Sequence, residues 1–182
     1  MPKKIFIIAG EASGDLHGAR IIERMQQAAG SALEVHGVGG DRIRATGALD
    51  HYDLASFHVT GFLEALGSIP RYLQAERIIV ESVRRARPDA VVLIDNPGFN
   101  LRLAQRFRAM GLRVFYFIAP QVWAWGADRV RRIRRDIDKV YVVFEFEKRF
   151  FEERGVGAEW VGHPLRDIVD VDPLPAERRD ST

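Results

Sequence analysis

The amino-acid sequence predicts an α/β fold with a Rossmann-like, doubly wound and mainly parallel sheet. Two patterns support this prediction: apolar segments alternate with amphipathic helical segments, and the apolar segments are continuously hydrophobic rather than alternating with polar residues. Strands of a parallel sheet that is covered by helices on both faces have this continuous pattern. Ligands of such sheets bind beyond the carboxyl ends of the strands, so the residues that follow each strand are the first candidates for a site.

Six strands and six helices are predicted in alternation. The strand signals are short apolar runs bounded by glycine, proline or polar residues, and the helix signals are apolar residues three or four positions apart. The predicted strands are 4–10, 33–40, 90–94, 113–120, 139–144 and 158–164, and the predicted helices are one that opens at Asp15, then 41–47, 61–87, 101–111, 127–137 and 145–155. Residues 51–61 show no clean period and are predicted as a loop, and Pro70 is expected to break or redirect its helix.

The composition is that of a globular protein. The 182 residues are 47% hydrophobic and 29% charged, which suits a single domain with a core. We expect that domain to be residues 1–169, because 170–182 contain two prolines and little to bury and are typical of a linker or frayed tail. The absence of cysteine excludes a disulfide framework and a Cys-ligated metal, and the five histidines lack metal-ligand spacing.

Charge and hydropathy restrict the partners. No apolar run reaches the roughly 18 residues of a membrane span, and the first residues lack a signal-peptide pattern, so a cytoplasmic location is expected. The sequence pI of about 9.1 and the clustered arginines favour an anionic partner. Nucleic acid is not expected to be that partner, because the motifs of nucleic-acid-binding folds are missing.

The first strand ends in the segment GEASGD, residues 10–15. Gly10 and Gly14 would let the backbone approach a ligand closely, and Ser13 offers a hydroxyl. Glu11 would repel a phosphate, so the loop suits a ligand with hydroxyl groups. The alternative is that Ser13 or Asp15 is only the N-cap of the helix that follows.

Two further strand ends carry polar or aromatic residues. Asp95 follows the apolar run 90–94, so its carboxylate should lie at the same crevice as Glu11 and is a plausible general base; alternatively, Asp95 or Asn96 caps the next helix. Trp123 and Trp125 fall in a turn after a proline, where flat indoles suit a sugar ring or an acyl chain. Core packing under a long loop is the alternative for both tryptophans.

Two surfaces are also noteworthy. Five arginines within residues 129–135 form either a solvated helix face or a contact for an anionic surface or phosphate. An apolar band is either core or a patch that dips into a membrane interface. The band consists of Phe62, Leu63, Leu66, Ile69, Tyr72 and Leu73.

Taken together, several motifs in order resemble the lipid-A-disaccharide synthases, over residues 5 to about 170. They are AGEASGD, GVGG followed by TG, GFLEALG, IDNPGFNLRLA, APQVWAWG and FEFEKRFFEERGV with WVGHPL, of which GEASGD and VWAW are especially specific. The resemblance implies an inverting GT-B glycosyltransferase, whose two Rossmann-like domains face each other across a cleft. Such enzymes transfer diacylglucosamine from its UDP derivative to diacylglucosamine 1-phosphate, without a metal or other cofactor, on the inner membrane surface.

The resemblance also implies roles for individual residues. Asp95 is expected to be the general base for the acceptor's 6-hydroxyl, and Glu11 to assist or orient the acceptor. The apolar band 62–73 corresponds to a segment that contacts the membrane. Gly98 is an aspartate in many members of the family, so a role of that second acid is missing. We expect the substrates to contact Ser13, Gly14, Asn96, Asn100, Gln121, Trp123, Trp125 and His163, although a histidine in a GHP segment is more often a structural turn residue.

The family's second domain, which carries most contacts to the UDP-sugar, has no counterpart in residues 1–182. The resemblance therefore predicts the acceptor half of an enzyme, with little activity unless a C-terminal domain or a second chain completes it. Two alternatives are a non-catalytic lipid- or membrane-binding module and an unrelated nucleotide-binding domain. The acidic first loop argues against the latter.

Overall fold

The order of strands and helices in the computed structural model confirms the α/β prediction. The structure describes residues 2–53, 65–122 and 127–164. The strands are β1 (Lys3–Ala9), β2 (Leu33–Gly39), β3 (Leu49–Asp53), β4 (Ala90–Ile94), β5 (Arg113–Phe117), β6 (Lys139–Val142) and β7 (Ala158–Trp160). The helices are α1 (Ala12–Ala29), α2 (Asp41–Ala45), α3 (Ala65–Ala86), α4 (Pro97–Ala109), α5 (Ala127–Asp136) and α6 (Glu145–Glu152), and a 3₁₀ turn covers Gly30–Ala32.

The seven strands form one parallel sheet in the order β3-β2-β1-β4-β5-β6-β7. The chain proceeds outward from β1 to β3, returns through α3 to β4 on the other side of β1, and then proceeds outward again to β7. The strand order therefore reverses between β1 and β4. Open parallel sheets bind their ligands at such a switch point, where the two strand ends leave a crevice.

Two apolar clusters cover the two faces of the sheet. One contains the buried sides of α3, α4, α5 and α6 against β1, β4, β5 and β6. The other contains Ala19 and Ile22 of α1 and Ile43 of α2 against β1, β2 and β4. Because β4 is covered on both faces, all of Val91–Ile94 is buried, as the apolar run in the sequence indicated.

Three predictions about these elements were wrong. Residues 51–53 belong to strand β3, not to a loop, because the parallel pairing with β2 supplies order that the local pattern does not. Helix α3 is continuous across Pro70, which lies in its second turn and removes only one main-chain hydrogen bond there. Helix α1 begins at Ala12, three residues before Asp15.

Candidate functional site at the β1/β4 switch point

Asp95 lies at the carboxyl end of β4, and Glu11 follows the carboxyl end of β1. These two strands are neighbours on either side of the switch point, with Ala9 in register with Ile94. The two acidic residues that the sequence singled out are therefore brought to one crevice. Both side chains remain accessible, because Asp95 is only half-buried and Glu11 is exposed.

The backbone of Asp95 is held by its neighbours. Its N–H donates to the carbonyl of Phe117 at 3.1 Å, and its own carbonyl accepts from Asn100 Nδ2 at 2.7 Å and from the hydroxyl of Tyr116. Tyr116 and Asn100 are both fully buried, so these anchors are part of the core. They hold the main chain of Asp95 in place without engaging its carboxylate.

Backbone conformation at these strand ends is unusual. Asp95, Asn96 and Ile118 have φ values of 49°, 45° and 58°. Aspartate and asparagine tolerate this left-handed region, but a β-branched isoleucine rarely adopts it. Strained backbone of this kind concentrates at functional sites, and here it occurs at the ends of β4 and β5 beside the crevice.

The pKa of Glu11 depends on its burial and on the charge of Asp95. Partial burial raises the pKa of the Glu11 carboxyl above its ordinary value, and the negative charge of Asp95 raises it further. A charge has such an effect on a neighbouring carboxyl only over a short distance, so the side chains of Glu11 and Asp95 lie near each other. A hydroxyl group bound between them would meet two carboxyl groups that can form hydrogen bonds with it.

The glycines of the first loop serve packing inside the protein. A Cβ at Gly10 would lie 2.9 Å from Nδ2 of Asn96, so that glycine makes room for the loop after β4. Gly14 is buried against Ala9 and Ile94. Close approach of a ligand, as predicted from sequence, is not needed to explain either residue.

Asp15 has a role that the sequence did not suggest. Its buried carboxylate accepts hydrogen bonds from the backbone N–H groups of Gly40, Arg42 and Ile43, at 2.8, 3.0 and 3.1 Å. It therefore caps α2, and not α1 as the alternative reading proposed. Neither Ser13 nor Asp15 caps α1, because the N-cap of that helix is Glu11 and makes no side-chain capping bond.

The sequence reading missed His17 on α1. His17 is half-buried, and this burial is the main cause that lowers the pKa of its imidazole. The negative charge of Asp95 raises that pKa, whereas His163 and Arg20 lower it further. Asp95, Arg20 and His163 are thus each close enough to His17 for their charges to affect it. The ring of His163 lies 5.7 Å from that of Phe144, just beyond the end of β6. A helical spacing of polar residues after the first loop was the signal available in the sequence.

The other predicted contact residues fall into three groups. Asn100 is buried and donates to the carbonyls of Ile94 and Asp95, so it supports the backbone and does not face a substrate. Asn96 occupies the N-cap position of α4 without a side-chain capping bond, while Ser13 and Gln121 are exposed. The predictions for Trp123, Trp125, Phe62 and Leu63 lie outside the described residues.

The remaining members of the apolar band 62–73 lie in α3. For Leu66 and Ile69 the structure gives the helical backbone. Tyr72 is half-buried with its ring 5.7 Å from that of Phe99, and Leu73 is 42% exposed. The end of the band is therefore partly core and partly surface.

Helix α5 has the amphipathic form that the sequence predicted. Val130, Ile133 and Ile137 are buried, and the arginines at 129, 131, 132, 134 and 135 are exposed. In residues 2–53, 65–122 and 127–164, no group of three or more histidine or acidic side chains could hold a metal ion. Over the same ranges, none of the helices combines the length and the apolar character that crossing a membrane would require.

The sequence matches the family model of the lipid-A-disaccharide synthetases over residues 5–182. The chain belongs to this family. Among relatives, it is 41% identical to the lipid-A-disaccharide synthase of Trichlorobacter lovleyi over an alignment of 174 residues that covers 93% of this chain and 44% of the relative. It is 39% identical to that of Myxococcus xanthus over 168 residues (92% and 44%) and 37% identical to that of Pseudomonas aeruginosa over 175 residues (96% and 45%). The chain thus spans less than half the length of these curated synthases.

Solved structures with a similar fold belong to enzymes of UDP-sugars. A UDP-GlcNAc 2-epimerase from Neisseria meningitidis, solved with UDP-GlcNAc, superposes with a TM-score of 0.65 at 11% identity, covering 90% of this chain and 47% of that one. A second UDP-N-acetylglucosamine 2-epimerase gives 0.65 at 10% identity, covering 92% and 54%. At such low identity the likeness concerns the fold alone, and it supports a Rossmann-like domain of GT-B type for this member of the synthase family.

Proposed function

We propose that this chain is the part of a lipid A disaccharide synthase that binds the sugar acceptor and supplies the general base. The proposed reaction transfers 2,3-diacylglucosamine from its UDP derivative to 2,3-diacylglucosamine 1-phosphate. Family membership supports the reaction class. The convergence of Glu11 and Asp95 at the switch point, with Asp95 raising the pKa of Glu11, is the observation that supports the site.

In this mechanism the carboxylate of Asp95 takes the proton of the acceptor's 6-hydroxyl. The oxygen forms a bond to the anomeric carbon of the donor while the bond from that carbon to UDP breaks, and UDP leaves with the electron pair. Attack opposite the leaving group inverts the anomeric configuration. Glu11 orients the hydroxyl, and the buried Tyr116 and Asn100 keep the Asp95 backbone in place.

The remaining partners are proposed on the same basis. The substrates carry acyl chains, so the protein would work on the cytoplasmic surface of the inner membrane. Because the chain spans 44–45% of its curated relatives, we propose that the donor half is supplied by further sequence or by a second chain.

A chimera tests the proposal. The aligned segment of this chain, 93% of its length, would replace the matching segment of the T. lovleyi synthase, which is 41% identical. We expect the chimera to form the disaccharide, Asp95→Asn to lower kcat by about 10²-fold or more, and the unfused 182-residue chain to turn over little or no substrate. Asp89→Asn is the matched control, because Asp89 lies at the opposite end of the same strand and bonds the backbone of Lys4.

Two results would contradict the proposal. A chimera in which Asp95→Asn and Asp89→Asn retain equal activity would exclude Asp95 as the base. A folded chimera that binds membranes containing the diacylated acceptor but never forms product would favour the alternative, a lipid- or membrane-binding module.

A further inference from the structure

Helix α1 presents different residues in different directions. Gly14 and Gly18 face the sheet, since a Cβ at either position would lie 3.8 or 3.2 Å from a methyl carbon of Ile94. Asp15 faces α2, which it caps. At 100° per residue, the flank opposite Asp15 is occupied by positions four, three and four apart. Those positions are Ser13, His17, Arg20 and Arg24.

This flank points along the sheet toward the β4 side of the switch point. Because α1 begins at the carboxyl end of β1, its first turns lie at the same edge as Asp95, and Arg24 lies a turn further from that edge. The imidazole of His17 interacts electrostatically with Asp95, Arg20 and His163. His163 approaches from beyond β7, with its ring against Phe144.

The same edge of the sheet thus carries two kinds of side chain. Glu11 and Asp95 supply carboxylates, whereas His17 and Arg20 on the flank of α1, together with His163, supply N–H donors around His17. Ser13 is exposed on the same flank. A guanidinium and imidazole N–H groups are suited to phosphate oxygens, to which they make charge-assisted hydrogen bonds. A neutral imidazole also donates one N–H, so His17 need not be protonated to contribute.

This arrangement matches one end of a hexose 1-phosphate. In such a sugar, C1 and C5 are both bonded to the ring oxygen; C1 carries the phosphate and C5 carries the CH₂OH group. The phosphate and the 6-hydroxyl therefore lie on the same end of the ring, and a site that binds this end needs an anion-binding group close to the base for that hydroxyl. We propose that Ser13, His17, Arg20 and His163 form the subsite for the phosphate of the acceptor, beside the hydroxyl site at Asp95. This inference rests on the proposed function and adds to it the residues that recognise the phosphate.

Histidine NMR on the 182-residue chain tests the subsite with water-soluble probes. Titration with glucosamine 1-phosphate is expected to shift the ring signals of His17 and His163 in a saturable way. His36, which is buried with its ring stacked on Phe6 and paired with Glu34, is the internal reference. Arg20→Gln should weaken binding about tenfold, the loss of a charge-assisted bond, whereas Arg24→Gln on the same flank should leave it unchanged.

The other arms identify the ligand. Glucosamine that binds as tightly as its 1-phosphate, or equal losses in Arg20→Gln and Arg24→Gln, would overturn the subsite. Inorganic phosphate should bind more weakly than the sugar phosphate. UDP that binds more tightly, with the same dependence on Arg20, would assign these residues to the donor diphosphate and overturn the acceptor assignment.

The chimera separates this inference from the proposed function. Arg20→Gln in an active chimera should raise the KM for the acceptor about tenfold and change kcat little. An unchanged KM in an active chimera overturns the subsite and leaves the function intact. Failure of the wild-type chimera to form product, despite folding and the expected histidine shifts, counts against the function and not against the phosphate subsite.

Discussion

At the scale of single residues, Asp15 and Asp95 show how the same residue type can serve the structure at one position and be a candidate for chemistry at another. Asp15 is buried and accepts three backbone N–H bonds, whereas Asp95 has its backbone anchored and its carboxylate accessible. Burial and hydrogen-bond partners, not position at a strand end, distinguish the two. Among the described residues, the backbone N–H groups bond the carboxylate of Asp15 and not that of Asp95, so the latter is the better candidate to contact a ligand.

Asp15→Ala is expected to destabilise the protein by about 3 kcal/mol or more, because three N–H groups would lose a charged acceptor, two of them in buried bonds. Urea denaturation would measure the loss. Asp41→Ala is the control: Asp41 is exposed and pairs with Arg44 on its own helix, so its removal should cost less than about 1 kcal/mol. Equal losses in the two variants would refute the capping role of Asp15.

The ionised carboxylate of Glu11 is expected to lower the free energy of unfolding at neutral pH, because it lies near the charge of Asp95. Its pKa is raised in the folded protein by burial and by Asp95, so the folded state favours the protonated carboxyl. Its contribution to stability is therefore present below pH 4.5 and is lost as the pH rises through the folded pKa. Glu11→Gln should raise the free energy of unfolding at pH 7, and with it the Tm, by no more than about 0.5 kcal/mol because the side chain is largely exposed to solvent, and it should have no such effect near pH 3. A lower Tm at pH 7 would be inconsistent with this account.

The sequence predicted where Glu11 and Asp95 lie, but it did not predict what Asp15 contacts. Glu11 and Asp95 could be found because acids directly after apolar strands must lie at the carboxyl edge of a parallel sheet. The role of Asp15 could not, because its partners are 25 or more residues away, at Gly40 and beyond. His17 was missed because it stands on a helix flank and its neighbours at the crevice come from other strand ends.

At the scale of secondary-structure elements, two helices support the loop that carries Asp95. Helix α4 begins two residues after Asp95, and α3 packs beside it. The carboxylate of Glu76 on α3 joins them, with Arg102 at 3.0 Å and Arg106 at 2.9 Å. Local sequence patterns located both helices, but an ion pair between residues 26 to 30 positions apart requires the tertiary fold.

Glu76→Gln should destabilise the protein by about 1–2 kcal/mol at pH 7, less than for a fully buried pair because both guanidinium groups are more than half exposed. Burial alone would raise the pKa of Glu76, but the hydrogen bonds from Arg106 and Arg102 lower it overall. The stabilisation is therefore complete above pH 4.5 and is lost as the pH falls through the folded pKa.

Unfolding of wild type and Glu76→Gln across pH 2–7 would check this behaviour. The difference in free energy of unfolding should be largest at neutral pH and shrink on acidification. Glu81→Gln is the matched control, because Glu81 lies on the same helix and pairs with Arg84 across 3.5 Å while both side chains are 62% exposed. A constant difference across the pH range would show that the carboxylate charge is not what joins α3 to α4.

At the scale of the whole molecule, the exposed Leu73 and the candidate site are connected through the carboxyl edge of the sheet. Helix α3 follows β3, so it begins at the carboxyl edge where Asp95 and Glu11 lie. Tyr72 on α3 contacts Phe99 in the first turn of α4, which places the neighbouring Leu73 near the loop of Asp95. Leu73 is nevertheless 42% exposed. The diacylated acceptor proposed above would need apolar contact near the reacting hydroxyl, and Leu73 is the candidate for that contact among the described residues.

The membrane proposal predicts that Leu73→Asp weakens binding to vesicles. Transfer of a partly exposed leucine from water into lipid is favourable in proportion to its apolar area, whereas transfer of an aspartate is unfavourable. We therefore expect the affinity for vesicles to fall about tenfold. Co-sedimentation with phosphatidylethanolamine–phosphatidylglycerol vesicles measures the effect. Leu49→Asp is the matched control, because Leu49 is 53% exposed but opens β3 at the opposite edge of the sheet. If both variants bind like wild type, α3 does not carry the membrane contact; if both lose binding equally, the effect reflects added charge and not an oriented surface.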